Sequence, residues 1–342
     1  MTVGEESSLP VVENKNIAGF WRRLLAICID FLLLGLIGLV LGVFFADYFS
    51  SLGGWGRIIG FVIAWPYFGV MNSRICSGQT FGKELLKVKV TMLNGTSLSI
   101  SKSLLRALVF CLPIFLNGAA FSMEALHGWF VYVLAILVFG FSISTVYLYV
   151  FNRRTRQSLH DLVVGSIVVK AAEPARKVSV VTWRGHYVAT AIILVAATTV
   201  PNFVWKLANK EPFTSLLSLQ KILASEPGVI SVNISVGSSM YKNMNSAVKN
   251  VNYLSTNVVI SEKNSNFGAM ANHFAATMLE KYPESSAMDS VNITITHGYD
   301  IGIASEWNSS NFSFSPSKWR ERIAPKSGTG LHSEATTPEN VH

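Results

Sequence analysis

The sequence carries little charge for its length. Only 14% of its 342 residues are charged, whereas a soluble domain carries about 25% charged residues. Hydrophobic residues make up 50% of the chain, and its mean hydropathy is +0.39. A surface with so little charge is unsuited to water on all sides, so the composition argues against a soluble globular protein and predicts a membrane protein.

Cysteine is scarce too. The three cysteines are Cys28, Cys76 and Cys111, and none lies beyond residue 111. Their spacing matches no metal-binding pattern, and the second half of the chain has no thiol with which to build a disulfide framework. We therefore expect neither a cysteine metal site nor disulfide bonds.

Acidic residues are few in the first half of the chain. Residues 1–184 hold 17 Lys and Arg but 9 Asp and Glu, whereas residues 185–342 hold 11 of each class. The basic residues alternate with long apolar runs instead of forming one continuous patch, so nucleic acid is not expected as a partner. The expected partner is a lipid bilayer with anionic head groups.

Five long stretches with almost no charge predict membrane spans, since a helix needs about 20 apolar residues to cross the bilayer core. The predicted spans cover about residues 24–46, 57–73, 106–123, 128–151 and 185–205. Tryptophans stand at the ends of these spans, as membrane interfaces favour: Trp21, Trp55, Trp129, Trp183 and Trp205. The predicted fold is an α-helical membrane bundle of about five transmembrane helices, followed by a small C-terminal α+β domain.

The positions of Lys and Arg predict the orientation. Of the 17 in residues 1–184, 16 lie in the N-terminal segment, the loop between spans 2 and 3, and the segment between spans 4 and 5. The positive-inside rule then places the N-terminus in the cytoplasm and the C-terminal half outside the inner (cytoplasmic) membrane. The first apolar run is long and begins about twenty residues into the chain, which is typical of a retained anchor.

These observations divide the chain into regions. We predict a polar cytoplasmic N-terminus, a four-span membrane domain, a fifth span, an extracytoplasmic α+β domain and a disordered tail, over residues 1–20, 21–172, 185–205, 206–322 and 323–342.

Charged residues within or beside the spans are the candidate functional site, because charge inside a membrane is costly. Arg23 and Asp30 lie two turns apart on one face of the first span, but a direct pair is not expected because helical side chains tilt toward the N-terminus. Arg106 is the candidate partner of an Asp. His160, beside Asp161, is either a proton-carrying group or an interfacial residue with a satisfied hydrogen bond.

Three motifs occur in order: AGFWRRLLAICID, SGQTFGKELLKVKV and NRRTRQSLHDLVVGSIVVK. Together they resemble the RDD family of prokaryotic integral membrane proteins, over about residues 17–172. The resemblance assigns the family's Arg to Arg23 and its two Asp residues to Asp30 and Asp161. The family's loop motif falls on Gly78, Gln79, Thr80, Gly82 and Lys83. The resemblance implies a membrane role of the transport type for an undefined ligand, and it does not extend to the fifth span or the external domain.

The GQTFGK loop differs from a phosphate-binding loop. Its glycines are one residue too close, and Glu84 stands where a magnesium-binding Ser or Thr belongs, so no nucleotide and no other cofactor is expected. After it, residues 87–100 predict a hairpin around Asn94-Gly95, to which residues 167–170 add a strand. Ser101 or Ser103 is the expected cap of the third span.

The external half predicts a helix over residues 206–224, strands over 229–236, 256–261 and 291–296, and a helix over 267–281. Its candidate catalytic or metal-binding side chains are scattered without metal-ligand spacing: His273, Asp289, His297 and Asp300. No catalytic set emerges, so an enzyme and a metal site are not expected. The segment GYDIGIASEW forms either a binding loop or a simple turn.

Two functions fit this sequence. The first is an RDD-like inner-membrane protein that transports a small cation or solute, with Asp30 and Asp161 as charge-exchanging groups. The alternative is a scaffold or sensor whose external domain binds an envelope partner and whose Arg and Asp residues form a structural network. A water-filled path to Asp30 would favour transport. An Asp30 side chain that is packed and paired would favour the structural role. Four short spans enclose little volume, so a homo-oligomer is a further expectation.

Overall fold

The computed structural model describes residues 11–12, 16–119, 128–172, 177–178, 182–241, 249–261 and 266–324. Most of the predicted N-terminal region, and all but the first two residues of the predicted disordered tail, lie outside the described residues.

Each predicted span contains a helix. The apolar helices are α1 (Phe20–Leu52), α2 (Arg57–Met71), α4 (Ile100–Leu116), α5 (Phe130–Ala135), α6 (Phe141–Phe151), α8 (Arg184–Ala197) and α9 (Val200–Ala208). A π-helical turn over Ile136–Gly140 joins α5 to α6, and a 3-10 turn over Gly53–Gly56 joins α1 to α2. Among the residues that the structure describes, three stretches are long and apolar enough to cross a membrane: Phe20–Met71, Phe130–Phe151 and Arg184–Ala208. Five spans and their orientation stay predictions.

Several helix bounds differ from the predicted spans: α1 covers Phe20–Leu52 instead of residues 24–46, and α4 covers Ile100–Leu116 instead of residues 106–123. Helix α4 begins at Ile100 because Ser99 caps it by accepting a hydrogen bond from the Lys102 amide, so the expected caps Ser101 and Ser103 lie inside the helix. The fifth span is broken between α8 and α9. There the Thr198 and Thr199 hydroxyls donate hydrogen bonds to carbonyls three residues earlier, at 2.6 and 2.7 Å, and side-chain bonds of this kind compete with the helical pattern.

A small polar layer lies at one end of the helices. It consists of helix α3 (Phe81–Leu85), strand β2 (Val88–Met92), helix α7 (Leu159–Val164) and strand β3 (Ser166–Lys170). Strand β2 pairs with β3 in antiparallel register. Strands β1 (Val11–Val12) and β4 (Lys177–Val178) form a separate parallel pair.

The predicted hairpin over residues 87–100 is wrong in its second strand. The chain turns at Gly95, whose amide donates to the Met92 carbonyl, but it does not return as a strand. Leu98 is fully buried in the core under β2, and the next residues begin α4. Local alternation could not separate a strand from this buried connection.

The C-terminal domain is an α+β unit. Its elements are α10 (Phe213–Ala224), β5 (Val229–Tyr241), β6 (Lys249–Ile260), α11 (Phe267–Lys281), β7 (Ser290–Asp300), β8 (Ser305–Phe314) and α12 (Pro316–Ile323). The sheet has the order β5-β6-β7-β8, with a parallel pair between β6 and β7 joined through α11. The core lies between one sheet face and the helices and includes Leu223, Phe274 and Trp319.

Three predictions for this domain need correction. The three expected strands are present but longer, and β8 was not predicted because SEWNSSNFSF lacks strict alternation and its side chains are largely exposed. The helix expected over 206–224 is divided, since α9 ends at Ala208 and α10 starts at Phe213. Pro212, which cannot continue a helical hydrogen-bond pattern, stands between them.

Candidate functional site

Asp161 is the centre of a buried ion-pair cluster in the polar layer. Its side chain is 0% exposed and accepts hydrogen bonds from Arg23 of α1 at 2.8 Å and from two nitrogens of Arg106 of α4 at 2.8 and 2.9 Å. Ser166 of β3 donates to it at 3.0 Å, and the amide and hydroxyl of Ser158 cap it at 3.3 Å. One carboxylate therefore joins α1, α4, α7 and β3.

Asp30 is the centre of a second buried set. It is 0% exposed and accepts three hydrogen bonds: from the Tyr67 hydroxyl of α2 at 2.8 Å, the Thr80 hydroxyl at 2.6 Å and the Gly82 amide at 2.8 Å. None of these donors is charged. The carboxylate therefore joins α1 to α2 and to the loop that carries the GQTFGK motif.

The two glycines of the GQTFGK loop are required because main-chain carbonyl oxygens of other elements approach them too closely for a side chain. A Cβ on Gly82 would lie 2.1 Å from the Ala26 carbonyl oxygen of α1, so a side chain there would push the loop away from Asp30. Gly78 has a φ of +74°, and a Cβ there would lie 2.3 Å from the Val90 carbonyl oxygen. Gln79 donates from its side chain to the Val88 carbonyl at 3.0 Å, which attaches the loop to β2.

Lys83 is buried between the two sets, with 7% exposure, and its amine donates to the Asn72 side-chain oxygen. Burial is the main cause that lowers the pKa of Lys83 from 10.5 to about 7, and the positive charge of Arg106 lowers it further. Without a charge on Lys83, the two arginines and two aspartates of the cluster balance. A charged Lys83 gives the cluster one excess positive charge.

The adjacent residues His160 and Asp161 differ in charge state, since His160 is neutral and Asp161 is ionised. Burial lowers the pKa of His160 to about 3, so the ring is neutral at physiological pH. The ring lies within hydrogen-bond distance of the Ser158 hydroxyl and 3.7 Å from Asp161. Burial by itself would raise the pKa of Asp161, but Arg106 and Arg23 outweigh it and hold that pKa well below its usual range. Asp161 therefore stays ionised.

We expect Lys83 to make stability depend on pH. The unfolded amine stays protonated up to about pH 10.5 and the folded amine only up to about 7, so the unfolded state binds more protons between these values. The free energy of unfolding in detergent should rise by up to about 4 kcal/mol from pH 7 to 10.5 and change little below pH 7 on account of this residue. Denaturant titrations at several pH values measure this rise.

The matched comparison is Lys83→Met against Lys102→Met, since Lys102 is exposed. The rise should vanish only in Lys83→Met. An identical rise in both variants would contradict the assignment.

A second contact joins the opposite end of the helices to the C-terminal domain. The turn between β7 and β8 contributes Ile301, which is 0% exposed, and Ile303, which packs with the core of α1, α2 and α4. Arg57, at the start of α2, pairs with Asp300 at 2.7 Å. The same guanidinium donates to the Ile114 carbonyl near the end of α4 at 3.2 Å and also to the Asn117 carbonyl.

Glycines on α1 and α2 make room for this turn. A Cβ on Gly60 would lie 2.0 Å from the Ile301 carbonyl oxygen, and one on Gly38 would lie 2.7 Å from the Ala304 Cβ. A Cβ on Gly42 would meet the Tyr299 hydroxyl at 1.8 Å. Side chains at Gly60 and Gly38 would therefore exclude the turn from the helices, whereas a side chain at Gly42 would displace the Tyr299 side chain of β7.

The structure brings most of the sequence-predicted residues together. Arg23, Arg106, His160 and Asp161 form one cluster, and Asp30 lies with the loop motif beside it, without a direct bond to Arg23. Asp300 pairs with Arg57, while His273 lies 3.3 Å from Glu226 at an exposed position. Among the described residues, no group of three or more His, Cys, Asp or Glu side chains could hold a metal ion.

Two kinds of residue that take part in these contacts were not predicted from the sequence. Tyr67, Asn72 and Ser166 are common polar residues without a distinguishing pattern. Arg57 is the one basic residue of residues 1–184 that lies outside the three predicted cytoplasmic segments, but its partner Asp300 is 243 residues away. Of the two alternatives for GYDIGIASEW, a binding loop or a turn, the structure shows a turn, which packs on this chain's own helices.

Comparison with known proteins gives one match. The model of the RDD family matches residues 17–165. No curated protein and no solved structure matches the chain. The matched range contains Asp30, Asp161 and the GQTFGK loop, and it ends just before Ser166 and β3, and therefore before α8, α9 and the C-terminal domain.

Proposed function

We propose that this chain, whose residues 17–165 belong to the RDD family, is a membrane scaffold or sensor that couples a C-terminal binding domain to the polar layer. In this proposal Arg23, Arg106, Asp30 and Asp161 form a structural cluster, called the lock below, that fixes the positions of the elements it joins. The observation that carries it is the β7–β8 turn packed between helices that also contribute to the lock.

The packing of Asp30 supports the structural role. Three neutral donors from α2 and the motif loop satisfy its carboxylate, and no part of the side chain is exposed. Asp161 is equally enclosed and has two arginine partners. Buried carboxylates bonded in this way fix the relative positions of the elements that they join.

Helix α1 supports the coupling. It contributes Arg23 and Asp30 to the lock and Gly38 and Gly42 to the turn contact. Asp30 and Gly38 are eight residues apart, about 12 Å along one rigid helix. A shift of the turn relative to α1 can therefore reach the lock through a single element.

The sheet of the C-terminal domain offers a surface for a partner. On the face opposite the helices, hydroxyl and amide side chains form hydrogen-bonded rows across strands, such as Thr296 with Asn257 at 2.9 Å and with Ser309 at 3.0 Å. We expect an envelope component that makes polar contacts to bind here.

Hydrogen exchange tests the coupling. In Ile303→Ala the turn loses much of its apolar contact with the helices. We expect exchange of the Gly82 amide, which binds Asp30, to become about tenfold faster, equal to about 1.4 kcal/mol of local stability. The control Ile222→Ala removes the same atoms from a partly exposed position on α10 and should leave Gly82 within about twofold of the unmodified protein. Unchanged Gly82 exchange in Ile303→Ala would contradict the coupling.

Ion-coupled transport is the second candidate, and one observation favours it. A cavity of about 30 Å³ lies between Arg23, Lys83, Arg106 and His160, room for roughly two water molecules. A lysine with a pKa of about 7 on its wall could exchange protons under physiological conditions.

Flux measurements in vesicles test the transport candidate. The full-length protein should move small cations with a rate that depends on pH near 7, and Lys83→Met should abolish this pH dependence while Lys102→Met retains it. Unaltered flux in Asp30→Asn and in Asp161→Asn would rule out the carboxylates as charge-exchanging groups.

A further inference from the structure

A groove of about 800 Å³ opens where α1 and α6 meet the polar layer. Phe20 and Trp21 of α1 and Tyr149 of α6 line it. The Phe20 and Tyr149 ring centroids lie 4.8 Å apart, and the Tyr149 hydroxyl donates to the Phe20 carbonyl at 3.2 Å. Aromatic side chains at the ends of apolar helices are typical of the level of lipid head groups. The groove therefore lies at the predicted membrane surface.

The groove has a concentrated positive charge. Its basic lining residues are Arg22, Arg153, Arg156 and Lys170, and none of the described residues that line it is acidic. Within the described part of the chain, none of the four forms an ion pair with a carboxylate. Four cations around one concave surface attract an anion, and the aromatic wall beside them suits an acyl chain.

The backbone at Arg156 is held in a special conformation. Its φ of +52° lies in the left-handed region, which is disfavoured for a residue with a Cβ. The Arg156 amide donates to the Asn152 carbonyl at 2.8 Å, and the Thr155 hydroxyl donates to the Asn152 side chain at 3.0 Å. These bonds fix the turn that presents Arg156 to the groove.

The groove wall also contacts the lock. The Arg23 guanidinium carbon lies 5.3 Å from the centre of the Tyr149 ring, and Arg23 pairs with Asp161. An occupant of the groove would therefore pack against Tyr149, whose ring lies beside Arg23, and Arg23 is one of the two arginine partners of Asp161.

We propose that this groove binds the phosphate group of an anionic phospholipid, with the arginines on the phosphate and the aromatic wall along the first part of an acyl chain. The site goes beyond the function proposed above and does not depend on it.

Lipid titration of the delipidated full-length protein, followed by native mass spectrometry, tests the site. Phosphatidylglycerol should bind more tightly than phosphatidylcholine. The double variant Arg153→Gln with Arg156→Gln should bind phosphatidylglycerol about 30-fold more weakly, given the usual contribution of a basic residue near an anionic lipid. The Gly19→Trp variant fills the groove, since a Cβ on Gly19 meets no atom within 4 Å and its φ is −64°, and it should reduce binding at least as much.

Arg154→Gln is the matched control, because Arg154 is exposed, adjacent in sequence and absent from the groove lining. It should bind within about twofold of the unmodified protein. Competition with a large excess of inorganic phosphate distinguishes a lipid phosphate from a free phosphate as the ligand. Displacement of the lipid would assign the site to a soluble phosphate, and retention of the lipid would assign it to the lipid. Equal binding of both lipids, an equal loss in Arg154→Gln, or no loss in either groove variant would overturn the proposal.

Discussion

Asp161→Asn is expected to destabilise the protein more than any other conservative substitution in the polar layer. It leaves Arg23 and Arg106, which are 5% and 6% exposed, without the carboxylate that both bind. Removing one partner of a buried ion pair costs about 3–5 kcal/mol, a large share of the roughly 5–15 kcal/mol by which folded proteins are stable. Chemical unfolding in detergent, together with the yield of monodisperse protein, measures this loss.

Two matched substitutions separate this effect from a general loss of negative charge. Asp30→Asn should cost only about 1–2 kcal/mol, because its three donors are neutral and an amide oxygen can still accept two of the bonds. Asp47→Asn changes an exposed residue of α1 and should cost less than about 0.5 kcal/mol. Equal stabilities of Asp161→Asn and Asp47→Asn would contradict the lock.

A triple variant distinguishes structure from transport. Replacing a buried set of charges by apolar side chains of similar size is often neutral or stabilising. Arg23→Met, Arg106→Leu and Asp161→Leu together should therefore recover much of the stability that Asp161→Asn loses. If the cluster is structural, hydrogen exchange at Gly82 should recover as well. If the carboxylate carries ions, the unmodified protein should show flux, and the triple variant should fold but show none.

Gly60→Leu is expected to expel the β7–β8 turn from the helices. The new Cβ would lie 2.0 Å from a main-chain oxygen of Ile301 and 2.8 Å from the Phe115 ring, and a main-chain atom can give way only if the whole turn moves. Overpacking costs about 1–3 kcal/mol, and exposure of Ile301 adds about 1.5–3 kcal/mol. Protease cleavage within residues 300–304 should increase strongly, because the freed turn becomes accessible.

Gly268→Leu is the control for Gly60→Leu. It introduces the same side chain near the start of α11, where a Cβ meets no atom closer than 4.0 Å, and it should leave cleavage within residues 300–304 unchanged. Equal resistance of Gly60→Leu and Gly268→Leu to protease would show that the turn does not depend on the space at Gly60.

The sequence determined the elements whose signals are local. Low charge and five apolar runs indicated where the apolar helices lie, and the predicted helix over residues 267–281 matches α11 in both bounds. The RDD resemblance followed from three short motifs and agrees with the family match to residues 17–165. These features depend on neighbours a few residues apart, so periodicity and composition were sufficient.

Only the tertiary structure decided which residues meet. The predicted addition of residues 167–170 to the strand at residues 88–90 is confirmed, since β3 pairs with β2, but the register and the absence of a strand after Asn94 became known only from the structure. Arg23 and Asp161 are 138 residues apart, and Arg57 and Asp300 are 243 residues apart. Sequence spacing carries no information about such pairs, because their contact depends on how complete helices and strands pack. The three neutral donors around Asp30 and the space that Gly60 leaves for Ile301 became visible only once that packing was known.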